Sequence, residues 1–301
     1  MAWLKRVGLF LVLNVLIVLT ISTILSLFGI RPYLQATGLN YSSLAIFCLL
    51  WGMIGAFISL ALSKKMAKWM LGVRIITHPS PSESHLFSAV QTLAKKAGIP
   101  CPEVGIYPAK EVNAFATGPT RNSSLVAVSR GLLDKMSEEE LEGVLAHEIA
   151  HIKNGDMVTM TLLQGVVNAF VMFFARALAY AVSGLGKDDR RGSYLTYIFC
   201  VYLFEFCFMI FGALVVSAFS RFREYRADAG GAKLAGKRSM VSALEALLNR
   251  EKAPQRSVPQ EQAAFNALKI SSGGKKSWLR LFASHPPLED RIARLKTSSF
   301  S

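Results

Sequence analysis

The chain has 301 residues, of which 52% are hydrophobic and only 18% charged, with a mean hydropathy of +0.36; this balance excludes an ordinary soluble enzyme. Its formal charge of +14 and pI near 9.8 would suit a nucleic-acid binder. No module interleaving aromatic and basic residues is visible, however, so nucleic-acid binding is excluded and the basic excess is assigned to loops resting on anionic lipid.

From the N-terminus, Val7 to Ile30 is the first candidate membrane span and Ser43 to Leu62 the second. Each matches the roughly 20 apolar residues needed to cross a hydrocarbon core. The first run is too long for a cleaved signal, and no small-residue cleavage site precedes the second. Lys5 and Arg6 precede the first span, only Arg31 follows it, and Lys64, Lys65, Lys68 and Arg74 follow the second. That asymmetry places the N-terminus in the cytoplasm. Lys187, Arg190 and Arg191 in a later hairpin oppose the assignment, offset in part by Asp188 and Asp189.

After Arg74 the pattern changes to that of a soluble α+β piece. Periodicity predicts a helix from Ser84 to Ala97 and short strands at Val104 to Tyr107, Asn113 to Thr117 and Leu125 to Ser129, with Gly118-Pro119 as the turn between the last two. Ser137 and Glu140 then form a capping box for a helix starting near Glu138, with Glu138 and Glu139 at the favourable end of its dipole.

That helix carries His147-Glu148-Ile149-Ala150-His151. Residues four apart share a helical face, so both imidazoles can reach one Zn²⁺ at about 2.0 to 2.1 Å, while Glu148 stands beside them as a base for water. Leu141, Leu145 and Ile149 fall on the opposite face, and Asn154-Gly155-Asp156 interrupts or ends the helix. The plainer alternative is an amphipathic helix with two surface histidines.

Met157 to Leu185 and Tyr194 to Phe219 are the third and fourth candidate spans, containing Arg176 and Glu205 respectively. Isolated charges are expensive in lipid, so the two are expected to pair with each other or to face the bundle interior, without a catalytic part. Exposure to an aqueous chamber above the zinc is the other possibility. Beyond the fourth span, Glu224 and Asp228 lie four apart, followed by the small residues Ala229, Gly230, Gly231 and Ala232 that allow close helix approach. Glu224 is the candidate third zinc ligand; two His and one Glu leave a fourth, open position, the catalytic pattern. Asp228 is placed to accept the spare ring N–H of a ligand histidine. A surface-type pairing of Glu224 with Arg221 or Arg223 competes with ligation. A helix near Ser239 to Arg250, a mobile loop over Lys252 to Lys276 that covers the cleft, and a terminal helix from Pro287 to Lys296 complete the chain. Cys48, Cys200 and Cys207 lie in candidate spans and Cys101 in the cytoplasmic part, so neither a disulfide framework nor a thiolate zinc site is expected.

His147-Glu148-x-x-His151 with Glu224-x-x-x-Asp228, the hydrophobic spans around both, Asn113-Ala114-Phe115-Ala116 upstream and His285-Pro286-Pro287 near the end together resemble the HtpX-type membrane zinc metalloproteases of bacteria. The resemblance covers nearly the whole chain. It implies an integral inner-membrane endopeptidase with its active site facing the cytoplasm, acting in membrane-protein quality control and stress responses, in the same broad group as the CaaX prenyl-protein proteases. The zinc site of this group is similar to that of thermolysin, whose relatives carry a similar Asn-Ala-Phe edge. The resemblance therefore implies that Asn113 and the Ala114 backbone contact an extended substrate. His285, fixed on a rigid turn by Pro286-Pro287, is a candidate donor to the oxyanion. Arg291 either shares that role or braces the helix.

The expected architecture is a mostly α membrane protein: four transmembrane helices and a discontinuous α+β metalloprotease domain with a small sheet beside the zinc helix. Residues 1–73 form two spans and a juxtamembrane segment, 74–156 the first part of the protease domain, 157–219 a transmembrane hairpin, and 220–301 the second part. One Zn²⁺ per chain is expected, with the bilayer as partner and membrane proteins and unfolded polypeptides as substrates. Glu148 takes a proton from water and delivers it to the leaving amine. Three rivals remain. A site-2-type intramembrane protease keeps this motif inside a span, whereas Asp134, Lys135, Glu138, Glu139, Glu140, Glu142, Lys153 and Asp156 crowd around it here. A CaaX-like peptide-processing protease needs a larger multi-span chamber, and a non-enzymatic membrane protein would carry an incidental metal site.

Overall fold

The computed structural model describes residues 34–35, 38–183, 190–252 and 281–298. The first candidate span, the tip of the later hairpin and most of the loop over Lys252 to Lys276 lie outside the described residues.

Three of the described helices are long and apolar enough to cross a membrane: α1 (Tyr41–Leu71), α5 (Asp156–Ser183) and α6 (Arg190–Ala235), the last over Leu195–Ala235. Their side chains bear this out, because Ile46, Phe170 and Phe211 are among many large apolar residues left exposed, as a helix solvated by lipid requires. A two-stranded ribbon, β1 (Leu34–Gln35) with β2 (Gly38–Leu39), precedes α1. The chain folds as two compact units, one comprising residues 1–53, 166–215 and 254–283, the other residues 54–165, 216–253 and 284–301.

In the first unit, Arg176 Nη1 lies 2.6 Å from Glu205 Oε1 and also donates to the Met172 carbonyl at 3.1 Å. The two intramembrane charges therefore pair with each other, the first of the two arrangements expected from the cost of isolated charges in lipid.

The second unit is built on a four-stranded sheet in the order β3-β4-β6-β5, where β3 is Arg74–Ile75, β4 Glu103–Tyr107, β5 Ala114–Thr120 and β6 Ser123–Ser129. β4 and β6 are parallel and central, and Leu125 to Val128 are completely buried, which is why β6 reads as a continuous apolar run. β3 was not expected from sequence. The predicted turn at Gly118-Pro119 is displaced: both residues lie inside β5, opposite the single residue Ser124, and form a bulge, while the chain reverses at Arg121–Asn122. Proline is tolerated there because β5 is an edge strand whose outer N–H groups have no ladder partner among the described residues. Gly118 has φ +141°, and a Cβ on it would lie 2.2 Å from the Ser123 carbonyl oxygen.

α2 (Ser84–Ala97) connects β3 to β4, α3 (Arg130–Lys135) and α4 (Glu138–Asn154) follow β6, and α2 packs on α4. Leu141, Leu145 and Ile149 of α4 join Leu86, Val90, Val126 and Val128 in one apolar core. Full burial of each such side chain stabilises the fold by about 1.5 to 3 kcal/mol. α7 (Lys237–Lys252) packs on α4, and α8 (Leu288–Thr297) packs on α7. Thus α4, bearing the histidine motif, packs its apolar face into this core between α2 and α7.

Candidate metal centre

α4 begins as its sequence dictates. Ser137 accepts from the Glu140 N–H and the Glu140 carboxylate from the Ser137 N–H, the reciprocal capping box. The helix stops at Gly155, whose φ of +70° allows its N–H to reach back to the carbonyls of His151 and Ile152. Between these ends His147 and His151 fall on one face, both buried, with Nε2 atoms 3.1 Å apart.

α6 brings the carboxylates. The helix runs without a break from Arg190 to Ala235, so Glu224 and Asp228 belong to the same helix as the apolar stretch before them, and not to a separate one. Its small residues set the approach. A Cβ on Gly230 would lie 2.8 Å from Ala150 Cβ, and one on Gly231 only 3.1 Å from the His147 backbone nitrogen. Any larger pair would push α6 off α4 and take Glu224 away from the imidazoles.

Glu224, completely buried, faces both histidines: Oε2 lies 3.3 Å from His147 Nε2 and Oε1 3.4 Å from His151 Nε2. The three ligand atoms lie within 4.8 Å of one another. Ligands on a tetrahedral zinc at about 2.0 to 2.1 Å stand about 3.3 Å apart, so the cluster already has the dimensions of such a site. Two further observations fit a cation. Glu224 Oε2 receives no well-directed hydrogen bond, although His285 Nδ1 is 2.9 Å and the Arg291 guanidinium 3.6 Å away, and a buried acceptor left without one is costly. Each histidine also has its Nδ1 engaged by a carboxylate, His147 by Asp228 at 3.0 Å and His151 by Asp156 at 2.6 Å, which leaves the two Nε2 atoms turned towards Glu224.

The electrostatics follow from that geometry. Burial pushes the His147 pKa down, but hydrogen bonds to Asp228 and Glu224 outweigh it and raise it to about 9 in the metal-free protein. Arg291, also buried, donates Nε to Asp228 Oδ2 at 2.8 Å and Nη2 to Oδ1 at 2.6 Å. Its burial alone would lower its pKa; the Asp228 hydrogen bonds reverse the direction and raise it. Arg291 thus grips Asp228 with two donors, while its Nη1 lies 3.6 Å from Glu224 Oε2 and its Nη2 3.4 Å from His147 Nδ1.

The remaining candidates are placed as follows. Glu148 is half-buried on α4, one position from His147, and its charge is felt at Arg291. His285 is exposed and points Nδ1 at Glu224. Asn113 leads into β5, exchanging hydrogen bonds with Ser129, and Ala114 pairs with Val128 on the edge strand that packs against α4. Arg223 Nη2 lies 3.0 Å from Glu224 Oε1, so the arginine contact weighed from sequence is present together with the histidine contacts. Sequence reasoning missed Asp156 as the partner of His151. The only signal was an acidic residue directly after the helix-ending glycine.

Comparison with known proteins agrees with this geometry. Residues 80–299 match peptidase family M48. The chain is 49% identical to Protease HtpX of Chromohalobacter salexigens over 98% of its own length and 99% of that protein. It is 47% identical to a Protease HtpX homolog of Thiobacillus denitrificans over 97% and 99%. The crystal structure of S. mikatae Ste24p superposes with a TM-score of 0.63 at 16% identity, covering 97% of this chain and 65% of the longer Ste24p chain, a likeness of fold. With M48 matched over most of the chain, HtpX proteases matched end to end, three helices long and apolar enough to cross a membrane and a His-His-Glu cluster, this chain belongs to peptidase family M48 as one of its HtpX proteases, a multi-pass membrane metalloprotease.

Proposed function

We propose that the protein is a zinc endopeptidase of the bacterial inner membrane that hydrolyses peptide bonds in unfolded and damaged membrane proteins, with its catalytic part in the cytoplasm. The observation that carries this reading is the closure of His147 Nε2, His151 Nε2 and a Glu224 oxygen to within 4.8 Å of one another. One Zn²⁺ held by these three residues would supply a Lewis acid that acidifies water and polarises the scissile carbonyl. Glu148 takes the proton from that water and passes it to the leaving amine. Asp228 holds the His147 ring. His285, exposed beside Glu224, faces the incoming substrate and donates to the oxyanion.

Substrate binds in extended form along the free edge of β5, where Asn113 and the Ala114 backbone begin the strand and the bulge at Gly118-Pro119 ends its regular pairing. Residues 1–73 and 157–219 anchor the protein in the bilayer, and residues 74–156 and 220–301 together form the protease domain. Lys64, Lys65, Lys68 and Arg74, clustered after one span, favour a cytoplasmic protease domain.

The test is a pair of variants in detergent-purified protein, read by metal content and casein cleavage. Glu148→Gln is expected to keep one zinc and lose cleavage by at least about 100-fold, while His147→Ala loses both. Cleavage that survives in Glu148→Gln overturns the assignment.

A further inference from the structure

Resting on that reading of the metal site, we propose that Asp156 is a positioning residue for the metal ligand His151. Asp156 Oδ2 lies 2.6 Å from His151 Nδ1, and both side chains are buried, at 3% and 9% exposure. An ionised carboxylate at that distance can only accept, so it selects the tautomer in which Nδ1 carries the proton and Nε2 offers its lone pair. Nε2 is the atom that faces His147 Nε2 and Glu224 Oε1. The hydrogen bond therefore fixes both which nitrogen ligates and how the ring is turned about its Cβ–Cγ bond.

The chain is shaped to deliver this contact. Asp156 follows His151 by five residues, and in a continuing α-helix it would be rotated off the His151 face. Gly155, at φ +70°, ends α4 and turns the chain so that Asp156 comes back beside the imidazole as the first residue of α5. The N-terminal end of α5 favours a negative charge there. The same residue that opens a membrane-length helix thus aims a metal ligand, whereas His147 is held by Asp228 and Arg291 from α6 and α8.

Two substitutions separate this role from merely starting a helix. Asp156→Ser keeps a residue that begins helices well but is too short to reach His151; Asp156→Asn keeps an acceptor of nearly the same shape. In the full-length protein, zinc competition with a chelator should show affinity about 10- to 100-fold weaker for Asp156→Ser and largely restored for Asp156→Asn. The visible absorption of the Co²⁺-substituted protein should change in Asp156→Ser, and casein turnover should fall in kcat with KM held. Wild-type affinity and an unchanged Co²⁺ spectrum in Asp156→Ser overturn the proposal, as do Ser and Asn variants that are equally impaired.

A measurement on the unmutated protein stands beside these should Asp156→Ser not fold. With five histidines in the chain, ¹⁵N-histidine spectra of the zinc-loaded protein are tractable, and His151 is expected as the Nδ1-protonated tautomer. Metal on His151 Nδ1 overturns the proposal. A wild-type protein that binds no metal would instead defeat the underlying reading of the site and this inference with it.

Discussion

Arg291 and Asp228, on two different helices, are joined by two hydrogen bonds of 2.8 and 2.6 Å, and the same Asp228 lies 3.0 Å from His147 Nδ1. The last helix of the chain therefore holds the carboxylate that holds a metal ligand. Removing one partner of a buried ion pair leaves the other charge uncompensated, which costs about 3 to 5 kcal/mol. Arg291→Met should lower thermal stability by that order and weaken zinc binding. Arg291→Lys should rescue little, because an ammonium cannot reproduce the two-pronged contact. Unfolding curves and metal content of the two variants check this; wild-type values for Arg291→Met would show that Asp228 needs no brace.

Close helix contact is the second dependence. A Cβ on Gly143 of α4 would stand 2.3 Å from the Ser239 carbonyl oxygen and 2.8 Å from Ala243 Cβ of α7. The first of these is backbone and cannot move aside like a side-chain tip. Gly143→Ala is expected to destabilise the protein by about 1 to 3 kcal/mol through overpacking, and Gly143→Val by more. Thermal unfolding of both variants measures it, and a neutral Gly143→Val would mean that α7 slides freely on α4.

Much of the site was legible because its signals are local. Ser137 and Glu140 mark where α4 starts, the His147–His151 spacing fixes a shared face, and Glu224 with Asp228 repeats that spacing. Ser84–Ala97 could be read to the residue from its apolar stripe and following glycine. The misses are tertiary. Gly118-Pro119 carries turn chemistry, but an edge strand absorbs it as a bulge. Hydropathy falls after Phe219, which marks the end of an apolar run and not of the helix; α6 continues through Glu224 because no proline interrupts Ser220 to Leu234, and Gly230-Gly231 stay helical where they meet α4. Asp156 could not be assigned from spacing, since its contact with His151 depends on the left-handed turn at Gly155.

The site's charges predict a pH dependence. An unperturbed imidazole titrates at about 6.5, and the hydrogen bonds that His147 donates to Asp228 and Glu224 raise it to about 9 in the metal-free fold. The stabilisation carried by protonated His147 is then fully present below about pH 6.5 and is lost as pH rises through about 9. Metal needs the neutral ring, so binding at neutral pH expels one proton, and apparent zinc affinity should climb by about tenfold per pH unit between pH 7 and 9. Melting of the metal-free protein should move the other way, falling over the same interval. A zinc affinity flat from pH 7 to 9 would contradict this.

The Arg176–Glu205 pair, 2.6 Å apart and largely buried between apolar helices, yields the last prediction. Each charge stabilises the fold chiefly by neutralising the other, since an unpaired charge among apolar helices is expensive. Arg176→Met and Glu205→Gln should each lower stability in detergent, by about 2 to 4 kcal/mol. The double variant, which removes both charges together, should recover most of that loss. Unfolding of the four proteins in a double-mutant cycle gives the coupling directly. Additive losses would mean that the two charges act separately, each answered by other groups.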